Sequence, residues 1–465
     1  MNKKVVIIGA GLAGSLLCNE LVKSCNVALL ERGSRDSIRF PQIQFLNKVF
    51  GGVKTFCYGG GGTTNLWHNG LIPINLNDLT DEYFKEALAE SEPFMDNAAS
   101  ALFFEGLSFT EEYKKIVAEV NSLSEMFSVF EEGIDCLIYP GKYQKLTVDS
   151  RVDCAYDVKD INFIFEGDKI RAVEYSAAGG KKTIDAHIVV VSAGSLGTPG
   201  IVQKIISGTG AADKAGIGFM DHPMGFVGKV KFKKDVSHAV RKLASCDKAS
   251  YTGRSAVRLK SDCGRYTSGV FFRQALSMTN NLNIYKYKSS LGASKGIDRL
   301  KNAFSLKLFH PDILAEIYSH VFGRSLPGRT YNILFIADQK RGHGSVYNDD
   351  QNLRVNWSIP DKEISIYQNM LVRLKEMLTG MADEINIKTD ISEAWLWSAA
   401  HHSGTTSMGD SDSDLIDKNL KLKCCANAFV CDGSVIQEHS YANTGLAIGQ
   451  LALRLAARIQ DDVQK

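Results

Sequence analysis

Lys4-Val5-Val6-Ile7-Ile8-Gly9-Ala10-Gly11-Leu12-Ala13-Gly14-Ser15 is the stretch on which the reading of this chain turns. Lys4 to Ile8 is short, apolar and rich in Val and Ile, which predicts a buried strand. Gly9-x-Gly11-x-x-Gly14 follows it. Gly9 permits a tight turn, Gly11 lets backbone approach a pyrophosphate, and Gly14 lets the next helix pack on the sheet. The N-terminus of that helix then faces the phosphates. Ser15 to Ser24 carries Leu16, Leu17, Leu21 and Val22 at helical spacing, and Asn26 to Leu30 is a second buried strand. Glu31 ends that strand, where a carboxylate accepts hydrogen bonds from an adenosine ribose. The glycines alone are a weak signal. Strand, loop, helix, strand and acid in this order make a dinucleotide-binding unit, and leave NAD and FAD both open.

Around this unit the bulk properties narrow the class. The chain has 465 residues, 44% hydrophobic and 23% charged, enough for a sizeable core and about three average domains. A net charge of +2 lacks the basic bias of a nucleic-acid footprint. None of the ten cysteines forms a CxxC pair, and no His/Cys cluster has zinc-ligand spacing. No metal site is expected, and reduced, mostly buried thiols in a cytoplasmic protein are. Met1 to Gly14 mimics a secretory leader, but three glycines break it and a strand follows at once, so folded structure is expected from the start. No stretch is apolar and long enough to cross a membrane.

Further along, a second glycine cluster at Tyr58 to Gly62 runs into Thr63-Thr64-Asn65-Leu66-Trp67-His68. Leu79 to Leu123 reads as helical, and Cys136 to Glu174 as short strands. Ala186 to Ala193 is a continuous apolar run, the kind buried in a parallel sheet. Strand-like alternation fills Met224 to Trp357, and Glu363 to Ala382 is an amphipathic helix. Ala428 to Cys431 and Leu446 to Ile459 return to the opening style, strand then helix. Leu300, Phe304, Leu308, Ile313, Leu314, Ile317 and Phe322 are at helical spacing, interrupted by Pro311. They read as a lid packed on its own core, in preference to a membrane-surface segment. The predicted fold class is α/β, α+β overall. A Rossmann-like three-layer domain spans 1–223 and 396–465, and an antiparallel-sheet substrate domain spans 224–395. Residues 80–150 supply helices to the substrate side.

Several blocks resemble the glucose-methanol-choline (GMC) oxidoreductase family. Gly61-Gly62-Thr63-Thr64-Asn65-Leu66-Trp67 is similar to the family's loop against the flavin, and Ala186 to Pro199 to its second signature. Gly218-Phe219-Met220-Asp221-His222-Pro223 resembles its "GxxxDHP" segment, and Gly344-Ser345-Val346 a strand start in its substrate domain. His401-His402-Ser403-Gly404-Thr405-Thr406-Ser407-Met408-Gly409 reads HxxGTxxMG. Asn427 to Ser434 matches "NLxVxDxS". Tyr441-Ala442-Asn443-Thr444 lies where the family has its second active-site residue, with Thr444 in place of the usual Pro. Trp67 is closest to the pyranose oxidase and fructose dehydrogenase branch.

The resemblance implies FAD, and oxidation of a hydroxyl by proton abstraction and hydride transfer to flavin N5. It assigns His401 as base, and Asn443 as the hydrogen-bonding partner for the same oxygen. His401 is preferred to His402 because adjacent side chains on an extended segment point to opposite sides. Implied cofactor contacts are Gly9, Gly11, Leu12, Ala13, Gly14, Glu31, Arg32, Gly62, Thr63, Thr64, Asn65, Val158, Ala193, Asp432, Asn443 and Thr444. Thr63, Thr64 and Asn65 could instead cap the following turn, and Asp432 could be a cap. Trp67, His68 and His402 are candidates for substrate contact, and His222 reads as structural. Leu66 stands where covalently flavinylated relatives carry His, so non-covalent FAD is expected. The implied partner is a small, carbohydrate-like substrate; the electron acceptor is not legible. An NAD-dependent enzyme and a non-enzymatic binding protein on the same fold are the alternatives. The latter would lose the glycine fingerprint or the His–Asn pair, and this chain keeps both.

Overall fold

The computed structural model describes residues 3–51, 54–141, 145–209, 214–293, 306–322, 328–349 and 352–464. Strand β1 (Lys4–Ile8) and strand β2 (Asn26–Leu30) pair in parallel, with helix α1 (Leu12–Leu21) between them. Val5, Val6, Ile7 and Ile8 are all buried. A central parallel strand is covered on both faces, so its side chains need not alternate in polarity. Strand Ile188–Val191 flanks β1 on its other side, and Ala428–Val430 lies beyond that. Asp153–Ala155 closes the far edge next to β2. Five parallel strands thus draw on residues from both ends of the chain. The Rossmann-like domain is complete only when the last forty residues return to the first thirty. A three-stranded antiparallel meander, Lys159 to Asp185, leads from the edge strand back to the centre.

The helical stretch at 79–123 divides. Helices Glu82–Ala89 and Met95–Ala101 contact the C-terminal helix Gly445–Gln464, which also packs on α1. Helix Phe109–Asn121 packs instead on strand Ile134–Pro140. That strand pairs with Tyr251–Lys260 and so joins the second sheet from outside 224–395. The second sheet is antiparallel, with Thr267–Gln274, Thr330–Ala337 and Pro223–Phe232 at its middle. Helix Asp361–Thr379 covers it with Ile364, Tyr367, Leu371, Leu374 and Leu378.

A four-stranded sheet joins Ile217–Phe219, Gly344–Asp349, Asn352–Asn356 and Ile43–Phe45. Its two middle strands fall in the stretch expected to be strand-like. The outer two, Ile217–Phe219 and Ile43–Phe45, were not expected; each is three residues long, too short for periodicity to reveal. The sheet carries the loop after β2 across to the substrate sheet.

Of the expected amphipathic lid, Leu300 and Phe304 lie outside the described residues. Pro311 begins the helix Pro311–Phe322 and does not interrupt one. At a first helical position its missing N–H is no loss. Ile313 is buried, while Phe309, Leu314 and Ile317 are exposed. Among the described residues no helix is long and apolar enough to cross a membrane, and no cluster could hold a metal. All ten cysteines are free.

Candidate active site

The glycine loop is shaped by contact with its own chain. Gly9 has φ +109°, and a Cβ there would lie 2.4 Å from the Ser192 carbonyl oxygen. A Cβ on Gly14 would lie 1.9 Å from the Gly9 carbonyl oxygen. Gly11 differs, since a Cβ there would meet nothing nearer than 3.9 Å. The openness at Gly11 therefore serves something other than the protein's own packing. Helix α1 starts after Gly11 with no capping side chain and no acidic residue in its first turn. Its first N–H groups are orphan donors, which suits an anion. They adjoin a cavity of about 700 Å³.

Glu31 ties this loop to the second glycine cluster. Its buried carboxylate accepts from the N–H of Ala10 at 2.8 Å, Gly33 at 2.7 Å and Gly59 at 2.9 Å. Gly61 N–H donates in turn to the Ala10 carbonyl at 2.9 Å. Burial pushes the Glu31 carboxyl up and the three amides pull it back, with a net rise. Val158 N–H donates to the Glu31 carbonyl and brings the meander to the same place.

Of the residues expected at the cofactor, Gly9, Gly11, Leu12, Ala13, Glu31 and Arg32 line the cavity. Gly62 and Thr63 join them from the second cluster, and Val158, Ala193 and Asp432 from the far side. Gly14, Thr64, Asn65, Asn443 and Thr444 are not on its wall. Thr64 Oγ1 donates to the Gly61 carbonyl, and Asn65 Nδ2 to the carbonyls of Gly60 and Gly62. Both side chains hold the loop in shape. Asp432 accepts from Gly194 N–H, Thr198 Oγ1 and Ser434 N–H, so it caps a turn and the start of helix Gly194–Thr209 while lining the cavity. An uncapped helix end, an open Gly11 and a carboxylate at the second strand fit the dinucleotide half of FAD.

The second half of the site is a cluster of imidazoles. Asp221 organises its backbone. Oδ1 accepts from the N–H groups of His222 at 2.7 Å and His401 at 2.9 Å, and Oδ2 from Ser398 Oγ at 2.5 Å. Burial pushes the Asp221 carboxyl up to about 6 against these bonds. His401 Nδ1 lies 2.7 Å from His222 Nδ1, and His222 Nε2 lies 2.7 Å from the Ser440 carbonyl oxygen. The His439 ring packs on His222 with centroids 3.7 Å apart. His401 is half-buried. His402 turns away and packs against Phe50 and Phe219, its Nε2 3.4 Å from Asp221 Oδ2. Burial pulls both His401 and His402 down to about 3; His439 adds repulsion to the first and His401 to the second. His222 is pulled well down too, by burial first and then by repulsion from His439 and His401. These three imidazoles are neutral at pH 7.

Asn443 follows Ser440 by three residues, is half-buried and donates from Nδ2 to the Gly70 carbonyl at 3.2 Å. Its loop is anchored to the substrate sheet by Tyr441, whose hydroxyl donates to Asp135 at 2.7 Å. Trp67 rests on Gly445, where a Cβ would fall 2.0 Å from the indole. His68 is exposed. The sequence reading assigned no role to Asp221 or His439. One signal was present: His222, His401 and His402 fall inside blocks that carry the resemblance, and His439 lies two residues before another.

Comparison with known proteins gives the following. Residues 147–224 and 343–452 match the N- and C-terminal family models described as GMC oxidoreductase. A 2-methyl-1,2-propanediol dehydrogenase of Mycolicibacterium austroafricanum is 26% identical over 283 residues, 59% of this chain and 48% of that protein. The match thus spans about half the length of that relative. A pyridoxine 4-oxidase from Mesorbium loti superposes with TM-score 0.57 at 14% identity, covering 98% of this chain and 99% of that one. A formate oxidase from Aspergillus oryzae gives TM-score 0.58 at 14% identity, covering 99% of each. At such identity the two structures speak for the fold.

Proposed function

The chain belongs to the GMC oxidoreductase family, and on that premise we propose that it oxidises the hydroxyl of a small molecule, with His401 as base. FAD, when bound, supplies the acceptor for the hydride. The N–H groups at the start of α1 would hold its pyrophosphate, and Glu31, Arg32, Gly62, Thr63, Val158 and Ala193 are among the cavity residues that would hold the rest of it. Leu66 offers no nucleophile for a covalent link, which supports non-covalent binding.

The observation that carries the reading is the placement of His401. It is partly accessible, and its ring is hydrogen-bonded through Nδ1 alone among the described residues, while burial favours the neutral imidazole. A neutral imidazole can take the hydroxyl proton as the carbon–hydrogen bond breaks. Asn443, tied to the same cluster through Ser440, holds the substrate oxygen. The substrate class is a sugar or polyol, a reading supported by the resemblance of the loop ending in Trp67 to that of the sugar-oxidising branch. A short diol is the second reading, favoured by the relative named for one.

His401→Ala should retain FAD yet slow anaerobic bleaching of the flavin by substrate at least about a hundredfold. Screening sugars, polyols and short diols by the same bleaching decides between the substrate classes. Unchanged bleaching in His401→Ala overturns the assignment. A loss confined to His402→Ala moves the base by one residue.

A further inference from the structure

We infer that His222 fixes the tautomer of His401, so that Nε2 of His401 is the nitrogen that takes the substrate proton. This rests on the reading of His401 as base. The Ser440 carbonyl oxygen can only accept. His222 Nε2, 2.7 Å away, must therefore carry a hydrogen and donate it. His222 is completely buried, with His439 packed on its face, and burial disfavours its charged form. A neutral imidazole carries one hydrogen, so His222 Nδ1 bears a lone pair. His401 Nδ1 lies 2.7 Å from that lone pair and must be the donor. His401 is neutral as well, so its Nε2 is left bare.

The order carbonyl, His222, His401 thus runs in one direction, and the basic nitrogen is decided two residues away from the substrate. Asp221 keeps the pair in register. Its Oδ1 accepts the backbone N–H of both His222 and His401, although they stand 179 residues apart. When His401 takes up a proton at Nε2, its Nδ1–H remains donated to His222, so no side chain has to turn during the reaction. His222 is accordingly a positioning residue, and the structural role given to it by the sequence is extended.

The test is long-range ¹H–¹⁵N NMR on FAD-loaded protein labelled at histidine nitrogens, with the His401 signals identified by their loss in His401→Ala. The expected result is hydrogen on Nδ1 and none on Nε2. Hydrogen on Nε2 overturns the inference. Two variants separate positioning from packing. His222→Asn places a carbonyl oxygen near the lost Nδ1 and keeps the acceptor. His222→Phe keeps the ring volume and removes it. His222→Phe should lower the limiting rate of flavin bleaching by about a hundredfold, with substrate affinity unchanged and a mixed His401 tautomer. His222→Asn should restore most of the rate and the single tautomer. Equal losses in both variants with the tautomer intact would mean a packing role and overturn the inference. An Nδ1–H tautomer together with unimpaired bleaching in His401→Ala would uphold the tautomer and defeat the base assignment, so the two failures are distinct.

Discussion

The cradle at one end of the parallel sheet and the histidine cluster at the other end of the chain are built from different materials. The cradle uses backbone. Its donors are main-chain N–H groups, its shape comes from missing side chains, and one carboxylate, Glu31, gathers three amides to hold it. The cluster uses side chains. His222, His401, His402 and His439 come from three separate segments and meet around Asp221 and the Ser440 carbonyl. A backbone site tolerates no added atoms but is indifferent to titration. A side-chain site tolerates small changes of volume but depends on which nitrogen holds a proton.

The sharpest way to break this contrast is to add one carbon to the cradle. Gly14→Ala forces a Cβ to within 1.9 Å of the Gly9 carbonyl oxygen, a backbone atom that cannot swing aside. We expect a loss of about 3 kcal/mol of stability or more, and no retained flavin. Gly11→Ala meets its own chain only at an ordinary van der Waals distance, 3.9 Å from the Ser192 carbonyl oxygen. It should leave the melting temperature of the flavin-free protein unchanged while weakening FAD binding. Thermal melts with and without FAD, with flavin absorbance after gel filtration, check both. Equal melting temperatures for the two flavin-free variants would show that the loop relaxes, and the account of Gly14 would fail.

The same contrast explains what was legible in the sequence. Five residues of apolar strand, three spaced glycines and an acid within the first 31 positions define the cradle by local spacing, and the parallel sheet follows from it. The C-terminal strand Ala428–Val430 was readable for the same reason, as a continuous apolar run. His401 and Asn443 were proposed through flanking residues that resemble a family's motifs. Asp221 stood in such a motif without a role, and His439 in none, since a lone buried side chain has no periodicity and its partners lie far off in sequence. Ile43–Phe45 and Ile217–Phe219 escaped because strands of three residues are too short to alternate. Glu31 was legible as an acid in the right place, but its three amide partners were not, because two of them belong to loops whose meeting is a tertiary event.

Glu31 is the place where the two materials meet, and Glu31→Gln sharpens the comparison. An amide can offer one oxygen to Gly33 and Gly59, but its NH2 group then faces the Ala10 N–H, donor against donor. One buried amide is left unsatisfied, and the cost should be about 2 kcal/mol. Urea unfolding of the flavin-free protein reads this directly. A variant as stable as the parent would show that the clamp is dispensable and that the carboxylate serves the cofactor alone.

The smallest effect tests the cluster's dependence on protons. His402 is buried between Phe50 and Phe219 and is held down to about 3 by burial, with His401 adding repulsion. In the unfolded chain it would titrate near the ordinary value of about 6.5. Between these values the unfolded state takes up a proton that the folded state refuses. Stability from this group is therefore complete above about pH 6.5 and is lost as pH falls, by about 1.4 kcal/mol per unit. His402→Phe keeps an aromatic ring between the two phenylalanines and removes the titration. The variant should therefore gain on the parent by about 2 kcal/mol between pH 6.5 and pH 5, measured by urea unfolding at each pH. A difference that stays constant across that range would mean that His402 titrates alike in both states, and the neutral, buried imidazole assigned to it would not stand.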